Sequence, residues 1–231
     1  CTFNDDIQGT GAVVTGTLLA AMSVCGTRLP DQRIVVVGAG TAGCGISEQV
    51  IAAMVRHGLS QAEARSRFYM VDRQGLLLSE MHDLPPFQQM LAQPRARIAE
   101  WQLADAGTVT LTDVIANARP TVLIGFSGRA GLFTESIVRE MARHTPRPII
   151  LPLSNPTSHS EAAPADLLEW TDGRAIIATG SSFPDIQFRG EAIPIAQCNN
   201  SYVFPAIGLG VLAARARRVT AAMLMAAAEA L

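Results

Sequence analysis

The sequence contains no lysine, because all 18 of its basic residues are arginines. A guanidinium does not give up its proton in proteins, so these 231 residues offer no lysine-type general base. Aromatic residues make up only 5% of the chain, and the formal net charge is -2. The arginines are scattered, and their densest group is Arg215, Arg217 and Arg218. A basic surface for nucleic acid or another polyanion is therefore not expected.

Cysteine is also scarce, with four residues that have apolar or small neighbours: Cys1, Cys25, Cys44 and Cys198. None of them belongs to a C-x-x-C pair, which is the spacing of many metal sites and redox dithiols. We therefore expect reduced thiols that pack as small hydrophobic side chains, and not disulfides. Because no secretory signal is visible either, a reducing, cytoplasmic compartment is expected.

Charge is absent from residues 7–27, a run long enough to raise the question of a membrane span. The run contains four glycines, five threonines or serines and a glutamine, and it lacks the dense leucine and isoleucine content of a span. A helix buried inside a globular protein fits this composition better. We therefore expect no membrane association.

Short apolar runs alternate with helix-like segments along the chain. The expected strands are 33–40, 67–72, 121–128, 147–156 and 174–181. The expected helices are 9–25, 44–57, 111–118, 134–144, 164–170, 201–215 and 220–231. Strands that are apolar throughout are typical of a parallel sheet covered on both faces. The sequence thus predicts an α/β fold with a doubly wound, mostly parallel sheet of the Rossmann type, and an irregular excursion at 79–107.

The motif VVVGAGTAG has the pattern G-x-G-x-x-G between a predicted strand and a predicted helix. Gly38 permits a tight turn, Gly40 lets the backbone approach a pyrophosphate, and Gly43 allows the helix to pack closely. The free N–H groups at the start of the helix, around Thr41 and Ala42, attract the phosphate charge. A glycine turn that binds nothing has the same local pattern, so the dinucleotide interpretation depends on the next strand.

The next predicted strand ends in Asp72, where a dinucleotide-binding fold places the acid that hydrogen-bonds to the adenosine ribose. The spacing exceeds the usual value of roughly 20 residues, and we expect the extra residues 57–66 to lengthen the helix and its following loop. A carboxylate at this point repels a 2′-phosphate and favours NAD over NADP. Arg73 leaves that preference open, because its guanidinium either reaches a 2′-phosphate or lies in solvent.

Polar loops follow the third and fourth predicted strands, where the ligands of open α/β sheets gather. GFSGR lacks the last glycine of a nucleophile elbow, so we interpret Ser127 and Gly128 as a cofactor-side turn and not as a hydrolase site. In LSNPTS, Asn155 precedes a proline and is either a site residue or a turn former. Asn199 and Asn200 precede an apolar helix, so capping is the simpler role for either amide.

Two adjacent carboxylates, Asp5 and Asp6, lie within FNDDIQGT. On local sequence alone they are acids near a helix N-terminus, where the helix dipole stabilises negative charge. Taken with GAGTAG, LSNPTS and CNNSYVFP in this order, however, the motif resembles the NAD(P)-binding domain of malic enzyme, over essentially all 231 residues. The runs IAQCNNSYVFPAIGLG and RPIILPLSNPTS look most like the bacterial NAD-linked branch. Gly43 departs from the alanine common in the family, a change that the turn should tolerate.

The resemblance implies oxidative decarboxylation of L-malate to pyruvate and CO2, with hydride transfer to NAD and a divalent cation, Mg2+ or Mn2+. It implies that Asp6 is a ligand of this cation within the cofactor site, and that Asp5 is a catalytic residue that helps to set the charge of a nearby lysine. Asn155 and Asn200 correspond to asparagines near malate and the nicotinamide, and Asn199 to a neighbour that contacts the substrate. Carboxylate oxygen suits a hard cation, which would polarise the C2 oxygen of malate.

The resemblance also implies parts that this sequence does not contain. In the family, a tyrosine acid, a lysine base and a Glu-Asp pair precede FNDDIQGT, whereas only Cys1 and Thr2 precede it here. We therefore expect residues 1–231 to form an NAD(P)-binding domain whose N-terminal catalytic domain is absent, from an enzyme that forms dimers or tetramers. The alternative is a standalone dinucleotide-binding module that senses redox state or scaffolds a partner. An amino-acid dehydrogenase of related fold fits the motifs less well.

Overall fold

The computed structural model describes residues 2–105 and 107–231. The strands of the described residues are β1 (Ile34–Val37), β2 (Phe68–Asp72), β3 (Gly75–Leu76), β4 (Val122–Gly125), β5 (Ile149–Pro152), β6 (Ile176–Thr179), β7 (Ile186–Phe188), β8 (Glu191–Ile193) and β9 (Ala196–Gln197). The helices of the described residues are α1 (Thr10–Cys25), α2 (Thr41–Arg56), α3 (Gln61–Ser66), α4 (Pro86–Gln89), α5 (Leu111–Ala118), α6 (Glu135–His144), α7 (Pro164–Trp170), α8 (Phe204–Ala213) and α9 (Ala221–Ala230). A π-helical turn, Asp5–Gly9, leads directly into α1.

Seven of these strands form one sheet in the order β3-β2-β1-β4-β5-β6-β9. Neighbouring strands are parallel, except that β3 runs antiparallel to β2. β1 is paired on both sides, so that Val35 lies in register with Tyr69 of β2 and Leu123 of β4. β7 and β8 form a two-stranded antiparallel hairpin. The predicted α/β fold with a mostly parallel sheet is confirmed.

Helices cover both faces of the sheet, because the strands carry apolar side chains on both faces. Along β1, Ile34 and Val36 enter one hydrophobic cluster, whereas Val35 and Val37 enter a second. The first cluster includes buried residues of α1, α2, α8 and α9, and the second includes those of α5, α6 and α7. α2 follows β1 on one face of the sheet, and α6 follows β4 on the other face. After these two adjacent parallel strands the chain therefore turns towards opposite faces of the sheet.

The uncharged run of the sequence forms α1. Asp5–Cys25 is the described helical segment that is long and apolar enough to cross a membrane, with a mean hydropathy of 1.4. However, 56% of its most apolar 18-residue stretch is buried inside the protein, and Val14 and Leu18 are fully buried. α1 packs against α2 and α9. These are the contacts of a core helix, which is what the glycine and threonine content predicts.

The observed strands are shorter than predicted. β1 ends at Val37 and β4 ends at Gly125, because the residues that follow each of them bend into loops. β3 and β7 to β9 were not predicted, since strands of two or three residues contain no apolar run. The described part of 79–107 is mostly irregular, as expected, and contains α4 and the 3-10 turn Arg95–Ile98.

The expectation that residues 57–66 lengthen the helix after the glycine turn is wrong. α2 ends at Arg56, and a separate helix, α3, begins after Ser60. The Ser60 hydroxyl accepts a hydrogen bond from the Glu63 N–H, while the Glu63 carboxylate accepts one from the Ser60 N–H. This capping box starts a new helix within the crossover between β1 and β2, and it explains the long spacing from the glycine turn to Asp72.

Three cysteines lie within the described residues, and Cys25, Cys44 and Cys198 are all free thiols. Burial raises the pKa of Cys44 to about 12 and the pKa of Cys198 to about 11. Both thiols therefore stay protonated and behave as small hydrophobic side chains, as predicted. Cys1, for which a reduced thiol was also expected, lies outside the described residues.

Candidate dinucleotide site

A cleft of about 600 Å³ opens at the carboxyl edge of the sheet, where β1, β2 and β4 end. β1 and β4 are the strands whose following helices lie on opposite faces, so the cleft occupies the topological switch point of the fold. Ligands of open α/β sheets usually bind at this point. Five of the predicted cofactor residues line the cleft: Gly38, Gly40, Asp72, Arg73 and Ser127.

The glycine turn connects β1 to α2 beside this cleft. Gly38 has a φ of +103°, and a Cβ added to it would lie 2.5 Å from the carbonyl carbon of Phe126. A Cβ at Gly43 would collide with the Gly38 carbonyl oxygen. Around Gly40, by contrast, no atom lies within 4 Å of the position that a Cβ would take. The first and third glycines are thus required by close packing, and the second leaves room for a ligand.

The N-terminus of α2 faces the cleft without a side-chain cap. The helix starts at Thr41, and Gly40 in the N-cap position makes no side-chain hydrogen bond. Thr41 is exposed and Ala42 is half-buried. The backbone N–H groups of this first turn are therefore directed towards an incoming ligand, and the helix dipole favours a negative charge there.

Asp72 ends β2 at the rim of the cleft, and two hydrogen bonds hold its carboxylate. Its Oδ1 accepts from the Arg73 backbone N–H at 2.9 Å, and its Oδ2 accepts from Gln88 Nε2 at 3.3 Å. The same Gln88 amide donates to the Ala39 carbonyl oxygen at 2.7 Å. Gln88 is buried and was not predicted, since it lies in the irregular segment after β3. It connects the predicted ribose-binding acid to the glycine turn.

Arginine side chains contribute positive charge to the cleft. Arg73 and Arg129 both line it and are exposed, and neither forms an ion pair within the described part of the chain. Asp72 is the one acidic residue among the lining residues. The cleft therefore has an excess of positive charge, which favours an anionic ligand. Arg129 was not predicted, because the sequence does not distinguish it from an ordinary loop arginine.

The turn after β4 is bonded to the loop after β5. Gly128 has a φ of +66°, and its N–H donates to Ser154 Oγ at 2.9 Å. The hydroxyls of Ser127 and Ser154 both donate to Glu161, a fully buried carboxylate. Glu161 was not predicted, since no local pattern separates it from a surface acid. The predicted cofactor-side turn is thus attached to the segment that contains the predicted substrate asparagine.

Two of the predicted asparagines lie beside the same backbone segment, directly after β6. The Asn155 Oδ1 accepts from Ser181 Oγ at 2.9 Å, and the Asn199 Nδ2 donates to the Gly180 carbonyl oxygen at 3.3 Å. Asn199 Oδ1 also accepts from the Ser201 N–H at 3.0 Å, which is the capping role considered for it. Asn155 is exposed and Asn199 is half-buried. Their amide groups are therefore held near one another at the carboxyl edge of the sheet.

Asn200 joins this group to the start of the chain, because its Nδ2 donates to Asp5 Oδ2 at 2.6 Å. Asp5 Oδ1 is buried and has no hydrogen-bond partner among the described residues. Burial, followed by the neighbouring Asp6 carboxylate, raises the pKa of Asp5 above its usual value. Asp6 is exposed in the same π-helical turn. Both acids also occupy the helix-terminal position that was the alternative interpretation.

Comparison with known proteins identifies the family. Residues 7–231 match the family model for "Malic enzyme, NAD binding domain". The NAD-dependent malic enzyme of Sodalis glossinidius is 59% identical over 231 residues, and one from Pseudomonas aeruginosa is 58% identical. Each alignment covers 100% of this chain and 41% of the relative. The chain therefore spans less than half of the length of these relatives.

Solved structures agree with the sequence match. The crystal structure of the malic enzyme of Entamoeba histolytica superposes with a TM-score of 0.75 at 25% identity, covering 99% of this chain and 41% of that one. The malic enzyme of Pyrococcus horikoshii superposes with a TM-score of 0.73 at 26% identity, covering 99% of this chain and 46% of that one. The chain belongs to the malic enzyme family, and it is the NAD-binding domain of that family.

Proposed function

We propose that this chain binds NAD in the cleft at the ends of β1, β2 and β4, as part of an NAD-dependent malic enzyme. The observation that carries the proposal is that one cleft of about 600 Å³ is lined by Gly38, Gly40 and Asp72. A cleft of this size suits a ligand as large as a nucleotide. The uncapped α2 terminus and the excess of positive charge support an anionic ligand.

The strand order supports one direction for the proposed cofactor. Asp72 on β2 accepts hydrogen bonds from the adenosine ribose, and the first turn of α2, from Gly40 onwards, binds the pyrophosphate. The nicotinamide half then extends past β4, towards Ser127, Gly128 and Asn155. We propose Asn155 for both cofactor and substrate binding, and the bond from Gly128 to Ser154, which holds the loop after β5 beside the turn after β4, supports this.

We further infer that the whole protein oxidises and decarboxylates L-malate to pyruvate and CO2, with hydride transfer to NAD. In this inference Asn155, Asn199 and Asn200 hydrogen-bond to malate or to the carboxamide of the nicotinamide. Amides suit this role, because they donate and accept hydrogen bonds without adding charge. The contacts of Asn155 with Ser181, and of Asn199 with Gly180, support it by fixing two of the amides.

A divalent cation, Mg2+ or Mn2+, belongs to the proposal, with Asp6 as one ligand. The donor atoms fit such an ion in part, since Asp6 is exposed and Asp5 Oδ1 lacks a partner within the described residues. Mg2+ prefers about six oxygen ligands, whereas the described residues contain no group of three or more side chains able to hold a metal ion. Other ligands would come from malate, water or another part of the protein. When bound, the cation supplies Lewis-acid polarisation of the C2 oxygen of malate.

In this proposal the acid and the base lie outside residues 1–231, since the sequence contains no lysine to act as the base. We propose that residues 1–231 are the NAD-binding domain and that an N-terminal catalytic domain supplies the acid and the base. The longer relatives support this division, since the chain spans 41% of their length. α8 supports it as well, because Leu209 and Leu212 are 69% and 76% exposed, an apolar surface that the remaining part would cover. Asp5 then acts next to the incoming base, with Asn200 holding its carboxylate.

Calorimetric titration of the 231-residue chain tests the cofactor. We expect NAD to bind more tightly than NADP, because the Asp72 carboxylate repels the 2′-phosphate. Asp72→Ala should bring the two affinities closer by about tenfold, which corresponds to about 1.4 kcal/mol. Asp166→Ala is the matched control, since it removes an exposed carboxylate on α7 that does not line the cleft. It should leave the ratio of the two affinities unchanged.

Two results would contradict this proposal in different ways. If the wild-type chain binds NADP more tightly than NAD, then Arg73 or Arg129 binds the 2′-phosphate, and the proposed cofactor preference is wrong. If it binds neither nucleotide, the cleft is not a dinucleotide site in this chain, and the proposed function itself fails.

A further inference from the structure

Glu161 is the most deeply buried acid of the described residues, with 0% of its surface exposed. No arginine compensates its charge, because none of the ion pairs in the described chain includes it. A buried carboxylate is costly unless hydrogen bonds satisfy it. The space for this side chain is provided by Gly125, the last residue of β4, where an added Cβ would lie 2.6 Å from Glu161 Oε2.

Four hydrogen bonds satisfy Glu161, and all four come from two serines. Its Oε1 accepts from the Ser127 N–H at 2.8 Å, from Ser127 Oγ at 2.7 Å and from Ser154 Oγ at 2.5 Å. Its Oε2 accepts from the Ser154 N–H at 3.3 Å. Two partners are N–H groups, which only donate, and both hydroxyls are able to donate, so the site suits an ionised carboxylate, which only accepts. Packing alone does not explain such a set of bonds.

These bonds join two separate loops at the carboxyl edge of the sheet. Ser127 follows β4 and lines the cleft, and its Oγ also accepts from the Arg129 N–H at 3.1 Å. Ser154 follows β5, directly precedes Asn155, and accepts from the Gly128 N–H. The segments 127–129 and 154–155 are therefore held together by one buried charge.

We propose that Glu161 is a positioning residue that fixes the separation of these two loops and so orients the nicotinamide half of the bound dinucleotide. This inference rests on the proposed function. In the sheet order, β2 carries Asp72 at the adenosine end, whereas β4 and β5 lie on the opposite side of β1. Loss of the charge on Glu161 should therefore disturb the nicotinamide end and leave the adenosine end unchanged.

Glu161→Gln tests the proposal, because it keeps the size of the side chain but replaces one acceptor oxygen with a donor that faces the serines. We expect the variant to bind NAD about tenfold more weakly than the wild-type chain. ADP, which contains only the adenosine and phosphate part, should bind to both proteins equally. In NMR spectra without nucleotide, the amide protons of Ser127 and Ser154 should shift upfield, because they lose a charge-assisted bond.

Asp113→Asn provides the matched control for the loss of a buried carboxylate. Asp113 is 5% exposed and accepts from Ala104 and Thr110, not from the two serines. It should leave the Ser127 and Ser154 amide signals unchanged. Should Glu161→Gln fail to fold, Ser154→Ala removes one of the two links and should still weaken NAD binding relative to ADP binding.

The proposal is overturned if a folded Glu161→Gln variant loses NAD and ADP affinity to the same extent, or if neither affinity changes. It is also overturned if Ser154→Ala leaves the ratio of NAD to ADP affinity unaltered. If the wild-type chain binds no nucleotide, the proposed function has failed. The two amide signals then still show whether the carboxylate holds the loops.

Discussion

The buried acid Asp113 is expected to make the stability of the fold depend on pH. Apart from Glu161, it is the buried acid of the described residues. Its Oδ1 accepts from the Ala104 N–H at 3.0 Å, and its Oδ2 accepts from the N–H and hydroxyl of Thr110 at 2.9 and 2.6 Å. Burial acts to raise the pKa of Asp113, but the hydrogen bonds from Thr110 and Ala104 outweigh it and hold the pKa below its usual value.

We expect Asp113→Asn to lower the free energy of unfolding by about 2 kcal/mol at neutral pH, because the amide presents a donor to Thr110. Since the pKa of the folded state is depressed, the carboxylate stabilises the fold at pH values above the unfolded pKa of about 3.9. That contribution is lost as the pH falls through the folded pKa. Urea unfolding at a series of pH values should therefore show the two proteins converging below about pH 4.

Glu135→Gln serves as the control for this measurement. Glu135 pairs with Arg139 on the surface of α6, and its side chain is 57% exposed. Its removal should change the stability by less than about 0.5 kcal/mol at every pH. If Asp113→Asn destabilises the protein equally at neutral and acid pH, the charge of Asp113 has no part in the effect.

The position beside the cleft could be predicted for residues that end a recognisable strand or belong to the glycine motif. Gly38, Gly40 and Asp72 could be predicted, because a fingerprint fixes their positions relative to a strand and a helix. Glu161 could not be predicted, because it meets Ser127 across 34 positions and has no charged partner. Gln88 could not be predicted either, since its two acceptors are brought together only by the folded turn.

At the scale of elements, the placement of α2 depends on the absence of a side chain at Gly43. A methyl group there would meet the Gly38 carbonyl oxygen, so alanine at this position requires the backbone of this chain to move. We expect Gly43→Ala to lower the free energy of unfolding by about 1–3 kcal/mol through overpacking. Thermal unfolding should show a lower melting temperature. NAD titration should show a weaker affinity, because the N-terminus of α2 shifts.

Gly40→Ala separates binding from stability in the same turn. Apart from its immediate chain neighbours, no residue comes within 4 Å of a Cβ at Gly40, so the variant should unfold at nearly the same temperature as the wild-type chain. Its methyl group should nevertheless weaken NAD binding, because it occupies space that the pyrophosphate requires.

A Gly43→Ala variant with wild-type stability would contradict the packing role of Gly43.

Elements were predictable where a long pattern specified them. β1, β2, β4, β5 and β6 are largely apolar runs that are buried or half-buried in the sheet, and each was found near its predicted place. The short strands β7 to β9 depend on their neighbours, as when Ala178 pairs with Ala196 in β9. α3 was missed because residues 57–66, which include the capping residues Ser60 and Glu63, were expected to lengthen the preceding helix and its following loop.

At the scale of the whole molecule, the absence of lysine leads us to expect that the chain binds the cofactor but does not turn over the substrate. We expect the 231-residue chain to bind NAD and to form no NADH when malate and Mn2+ are added, because it contains no lysine to act as the proposed base. Absorbance at the wavelength of NADH measures this directly, and a full-length NAD-dependent malic enzyme serves as the positive control. Malate-dependent formation of NADH by the pure chain would show that the base lies within these residues.

The bond between Asp5 and Asn200 also affects the order in which the chain becomes structured during synthesis. Its two partners are 195 positions apart, so this part of the site cannot form until most of the chain has left the ribosome. α1 likewise packs against α9, which is the last helix within these 231 residues. Until then, an uncharged helix of 16 residues exposes an apolar face, and a nascent chain in that state is prone to aggregate and to bind chaperones.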